Sequence, residues 1–120
     1  MPNLAHRMIT DLLDDNLEML HNGDIAPRRI SIFHSKEANP QVRDGVTRLE
    51  EKMIEVLDPD DVYIEARRWQ KRLYIPALDN PPIMLTPSTL IIVLHYSGAN
   101  PRFIELNLDD KGAKLHFHRK

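Results

Sequence analysis

The stretch Thr89–Tyr96 constrains this chain more than any other. Leu90, Ile91, Ile92, Val93 and Leu94 are five consecutive aliphatic residues, three of them β-branched. A membrane-crossing helix needs about 20 apolar residues, so the run is far too short for one. A strand with one wet face would alternate apolar and polar side chains, and this one does not. The run therefore predicts a central strand covered on both faces.

The residues after Tyr96 extend this strand into a sheet. Ser97-Gly98-Ala99-Asn100-Pro101 reads as a turn, and Arg102–Leu108 sets Phe103, Glu105 and Asn107 against Ile104, Leu106 and Leu108. Asp109-Asp110-Lys111-Gly112 is a second turn, and Ala113–His118 a third strand with Leu115 and Phe117 on one face. The pattern predicts a C-terminal three-stranded antiparallel meander. A fourth strand is expected around Ile30 and Ile32, in the short β-branched run between Pro27 and the Asn39-Pro40 turn signal.

Helical spacing appears in two places. Leu4, Met8, Leu12 and Ala5, Ile9, Leu13, Leu17, Leu20 recur three and four residues apart, with Asn3 as cap and Gly23 as stop. Val42, Val46, Leu49, Met53 and Val56 form a second stripe, opened by Asn39 as cap and Pro40 at the first helical position. Arg43, Asp44, Arg48, Glu50, Glu51, Lys52 and Glu55 fill its other side. Arg48 with Lys52, and Glu51 with Glu55, are like charges four apart, so surface stability alone did not choose them.

Residues 59–73 fit two patterns. Val62, Ala66, Trp69 and Leu73 match a helix stripe, whereas Val62, Ile64 and Ala66 alternate as in a strand until Arg68 breaks the alternation. Helix is the preferred reading. Residues 76–88 hold Pro76, Pro81, Pro82 and Pro87 and are expected to form a loop or extended arm along a sheet edge. The expected fold is one α+β domain over residues 1–120. It has an antiparallel sheet of about four strands and two to three helices packed on one face.

Composition bounds the function. The 120 residues contain no cysteine, which removes disulfides, thiolate metal sites and cysteine nucleophiles. Charges interrupt Met1–Gly23 at His6, Arg7, Asp11, Asp14, Asp15 and Glu18, so that stretch is no signal peptide, and a cytoplasmic protein without a membrane partner is expected. With 16 basic and 18 acidic side chains the chain lacks the basic excess of a typical phosphate binder.

Signatures of chemistry are sparse. The glycines stand alone at 23, 45, 98 and 112, so there is no dinucleotide fingerprint or P-loop, and no cofactor is expected. His116 and His118 lie two apart on a strand, and His95 ends another strand of the same sheet. Three imidazoles can hold a metal, but with no carboxylate motif beside them they read better as strand residues facing water. The one local charge feature is Arg67, Arg68, Lys71 and Arg72 around Trp69, with Tyr74 beyond. These are the candidate binding residues, and Arg28-Arg29 would extend the patch if the fold brought it near.

By elimination the leading reading is a small non-enzymatic protein-binding module of inhibitor, immunity, adaptor or chaperone type, with another protein as partner. The alternative is a nucleic-acid-binding or -processing domain using the basic cluster. A metal-dependent enzyme using His95, His116 and His118 comes third.

Overall fold

A computed structural model describes residues 10, 11, 14, 20–57, 60, 62–69, 71–73 and 82–118. The fold is mixed α+β. Strands β1 (Arg29–His34), β2 (Tyr63–Trp69), β5 (Thr89–His95), β6 (Arg102–Asp109) and β7 (Gly112–His118) form one sheet in the order β2-β1-β5-β6-β7. Strands β3 (Arg72–Leu73) and β4 (Ile83–Met84) pair separately as a short antiparallel ribbon. Helix α1 spans Pro40–Val56.

Helix α1 starts where the sequence marks it. The Asn39 side-chain oxygen accepts a 2.8 Å bond from the Val42 N–H, and Pro40 takes the first turn, where a missing N–H costs nothing. The Asn39 amide also donates to the Leu108 carbonyl at 2.9 Å, so the cap ties the helix to β6. Val42, Val46, Leu49 and Met53 then pack onto Ile30, Ile32, Leu90, Ile92, Leu94, Ile104, Leu106 and Leu108. The other face of the sheet holds a second apolar cluster of Ile91, Val93 and Phe103 under Leu85, edged by Phe33 and Ile83. Both faces of β5 are thus covered, which accounts for its unbroken apolar run.

Two expectations need correction. Residues 63–69 are a strand, not part of a helix. β2 runs parallel to β1, with Arg29 opposite Tyr63 and Ser31 opposite Glu65, so β1–α1–β2 is a βαβ unit in a five-stranded mixed sheet. The alternation breaks because the register shifts: after Glu65 the next pairing is Phe33 with Arg68, leaving Ala66 and Arg67 against Ile32 alone. That is a β-bulge, and it mimics the loss of strand period.

The prolyl segment is not wholly irregular either, since Ile83–Met84 is β4. Nor does it follow a sheet edge there: Leu85 is buried on the sheet face that α1 leaves open, and its N–H donates to the Lys71 carbonyl at 2.9 Å. Residues 74–81 lie outside the described residues. Of the expected helices, α1 is present and the one placed over residues 59–73 is replaced by β2. The expected helix at 3–22 falls mostly outside the described residues, of which Thr10, Asp11 and Asp14 are helical.

No helix among the described residues is long and apolar enough to cross a membrane.

Candidate functional site

The histidines do not converge. Glu105 of β6 stands opposite Ile91 on one side and His116 on the other, while His95 lies four residues beyond Ile91 and pairs with Arg29. With strands about 4.8 Å apart and about 3.3 Å of rise per residue, the His95 and His116 backbones are roughly 16 Å apart. They cannot share a metal. His118 sits opposite Phe103, a strand away from the β1–β5 pairing that holds His95. Among the described residues no group of three or more His, Asp or Glu side chains is placed to hold an ion.

His95 has a different neighbourhood. Its Nε2 lies 3.3 Å from Ser31 Oγ and 3.4 Å from Arg29 Nη2. A guanidinium can only donate, so Nε2 is the acceptor and the serine hydroxyl donates to it as well. The pair resembles half of a nucleophilic site, but Ser31 is 1% exposed, and a substrate carbonyl cannot reach its oxygen. The contact satisfies a polar side chain buried in the sheet.

Beside the β6–β7 turn an open concavity of about 640 Å³ is lined by Asn107, Asp109, Lys111, Gly112 and Lys114. Its volume would suit a small ligand, but ligand pockets are mostly apolar with a few convergent polar groups. Here the Asp109 carboxylate is already occupied by the Lys111 and Gly112 N–H groups at 2.8 and 3.0 Å. The concavity is the outside of a tight turn.

The basic segment is placed quite differently from a helix face. Arg67 and Arg68 fall in the edge strand β2, at and just after its bulge, and the exposed Lys71 and Arg72 lead into β3. Tyr74 lies outside the described residues. Parallel pairing sets the start of β1 beside the start of β2, so the exposed Arg28 and Arg29 lie near Tyr63, with the Arg29 guanidinium turned toward His95 of β5. Arg28 and Arg29 therefore stand by the start of β2, and Lys71 and Arg72 follow its far end.

Two apolar side chains are exposed, one beside each of these pairs of cations. Tyr63, opposite Arg29, and Met84, opposite Arg72, are each 64% exposed, the most exposed large hydrophobic residues described. Sequence reasoning missed both. The signal for Tyr63 was present: it falls between Val62 and Ile64, so strand alternation puts it on the opposite face from them.

No protein-family model matches the chain, and no curated protein or solved structure matches it significantly.

Proposed function

We propose that this chain is a small cytoplasmic, non-enzymatic protein-binding module that engages an acidic protein surface through the β1–β2 side of its sheet. The observation that carries the reading is the exposure of Tyr63 at the start of β2, opposite Arg29 and next to Arg28. Aromatic residues, methionine and arginine are the types enriched at protein–protein interfaces.

Nucleic acid is the second reading, favoured by one observation: the fold brings Arg28 and Arg29 alongside β2. Asp60 and Glu65 in the same edge work against a continuous phosphate track.

The test is affinity capture from native lysate, with and without nuclease, using the wild type and a Tyr63→Ala, Arg72→Glu variant. A captured protein that survives nuclease, elutes as salt rises and is lost with the variant supports the first reading. Capture that disappears with nuclease supports the second. Retention of every bound species by the variant overturns both.

A further inference from the structure

We infer that Asn22 is a site of spontaneous deamidation, and that its bond to Arg102 and its bridge to Ile25 set how fast the reaction runs.

The chemistry singles out this residue. Deamidation begins when the backbone nitrogen of the next residue loses its proton and attacks the asparagine Cγ. A Cγ–N bond forms, the Cγ–Nδ2 bond breaks and ammonia leaves, which closes a five-membered imide. Water then opens the imide at Cγ, giving aspartate, or at the main-chain carbonyl, giving isoaspartate with one extra methylene in the backbone. Of the seven asparagines, Asn39, Asn80 and Asn100 precede proline, which has no N–H to lose. Asn3, Asn16 and Asn107 precede leucine, whose branched side chain crowds the nitrogen. Asn22 alone precedes glycine. Gly23 is exposed, and nothing lies within 4 Å of where its side chain would begin.

The fold slows the reaction without preventing it. Asn22 exchanges backbone bonds of 2.9 and 3.0 Å with Ile25, and as half of an antiparallel bridge it is extended. Ring closure must bring Cβ and the Gly23 nitrogen to the same side of the Cα–C bond, and an extended residue keeps them apart. Arg102 also holds the Asn22 Oδ1, at 2.7 Å. That donor draws electrons from Cγ, but attack needs the reacting atoms about 3–3.5 Å apart, so geometry decides. Reaction therefore proceeds from the fraction of molecules in which the bridge has opened. The step runs one way. Aspartate keeps the length of Asn22 and adds a charge for Arg102, whereas isoaspartate lengthens the turn and cannot restore both bonds to Ile25.

Peptide mapping by mass spectrometry, on the full chain aged at mildly alkaline pH, tests this. Folded wild type, Tyr96→Phe and Arg102→Lys are compared with wild type in urea. Acid should appear first at Asn22 and fastest in urea. Tyr96→Phe frees the Leu20 carbonyl but leaves Arg102 in place, and should convert about tenfold faster than folded wild type. The isoaspartyl form, separated by chromatography, should exchange its Ile25 amide faster than the unmodified chain. No acid at Asn22 in the folded chain while the chain in urea converts overturns the site. A Tyr96→Phe rate equal to that of the wild type, or slower conversion in Arg102→Lys, overturns the control by these contacts.

Discussion

Lys52 of α1 sets its ammonium 2.6 Å from the Asp14 carboxylate, although its position in the helix pattern assigned it to solvent. Its side chain is only 8% exposed, and a second carboxylate, Glu55, lies 3.7 Å away. One turn earlier the Arg48 Nε donates to Thr10 Oγ1 at 2.7 Å. These two cations, four residues apart, repel each other along the helix but clasp the helical residues near the N-terminus. That placement accounts for a spacing that helix stability alone disfavours.

A pH dependence arises from the lysine. The hydrogen bond to Asp14 holds its pKa above the ordinary 10.5, against the opposing effect of burial. A folded-state value above the unfolded one stabilises fully below 10.5, and the contribution is lost as pH rises through the folded value. Urea midpoints measured from about pH 9 to about pH 12 should therefore fall in the wild type, and less steeply in Lys52→Met.

Asn39 carries two bonds that substitutions can separate. Asn39→Ala removes the cap, worth about 1 kcal/mol. It also strips the Leu108 carbonyl of its donor, which adds about 1–3 kcal/mol. Serine keeps a capping oxygen but cannot span the distance to Leu108. Denaturant titrations should place Asn39→Ser between the wild type and Asn39→Ala. Equal stability of the two variants would mean that the Leu108 bond contributes most of the effect.

The two faces of β5 can be told apart in the same way. Ile92→Ala opens a cavity under α1 and Ile91→Ala one under Leu85, each costing about 2–5 kcal/mol. Only Ile91→Ala should speed exchange of the Leu85 amide, which bonds the Lys71 carbonyl. Hydrogen exchange on the two variants checks this. Equal acceleration in both would mean that Leu85 is held by the sheet as a whole rather than by its local cluster.

Local signals were legible, and those that depend on distant residues were not. The apolar run at Leu90–Leu94 identified a strand covered on both faces, and Asn39-Pro40 marked a helix start, because each is decided within a few residues. Residues 63–69 are β2 because β1 lies ready to pair with them across α1, a contact some 34 residues away in sequence for Arg29 and Tyr63. Tertiary pairing outweighed a stripe at 62, 66, 69 and 73 that suited a helix equally well. The bulge then hid the strand period at the point where it would have decided the matter. The basic residues were legible as a cluster from their types. The placing of Arg67 and Arg68 in β2, with Arg28, Arg29 and the exposed Tyr63 at its start, needed the parallel register.

The end of the sheet that receives residues 20–22 yields the last prediction. The Tyr96 hydroxyl donates to the Leu20 carbonyl at 2.7 Å. Arg102 donates to the His21 carbonyl at 3.1 Å and to Asn22 Oδ1 at 2.7 Å, with its guanidinium 5.8 Å from the centre of the Tyr96 ring. Two side chains from the facing ends of β5 and β6 therefore hold one stretch of chain. Just beyond it, Gly23 at φ 61° closes a tight turn in which Asn22 and Ile25 exchange backbone bonds of 2.9 and 3.0 Å. Tyr96→Phe keeps the packing and removes the donor, leaving a buried carbonyl unsatisfied at a cost of about 1–3 kcal/mol. Arg102→Lys keeps the charge but loses the forked pair of donors, so it too should release the segment. In both variants the Asn22 and Ile25 amides should exchange faster while those of α1 change little. Burial raises the Tyr96 pKa above 10.0, with Arg102 opposing the rise. This contribution is complete below pH 10.0 and is lost as pH climbs through the raised value, in the same direction as for Lys52. A Tyr96→Phe, Lys52→Met double variant should therefore show a flatter alkaline stability profile than either single variant. If the double variant declines as steeply as the wild type, these two groups do not control alkaline unfolding.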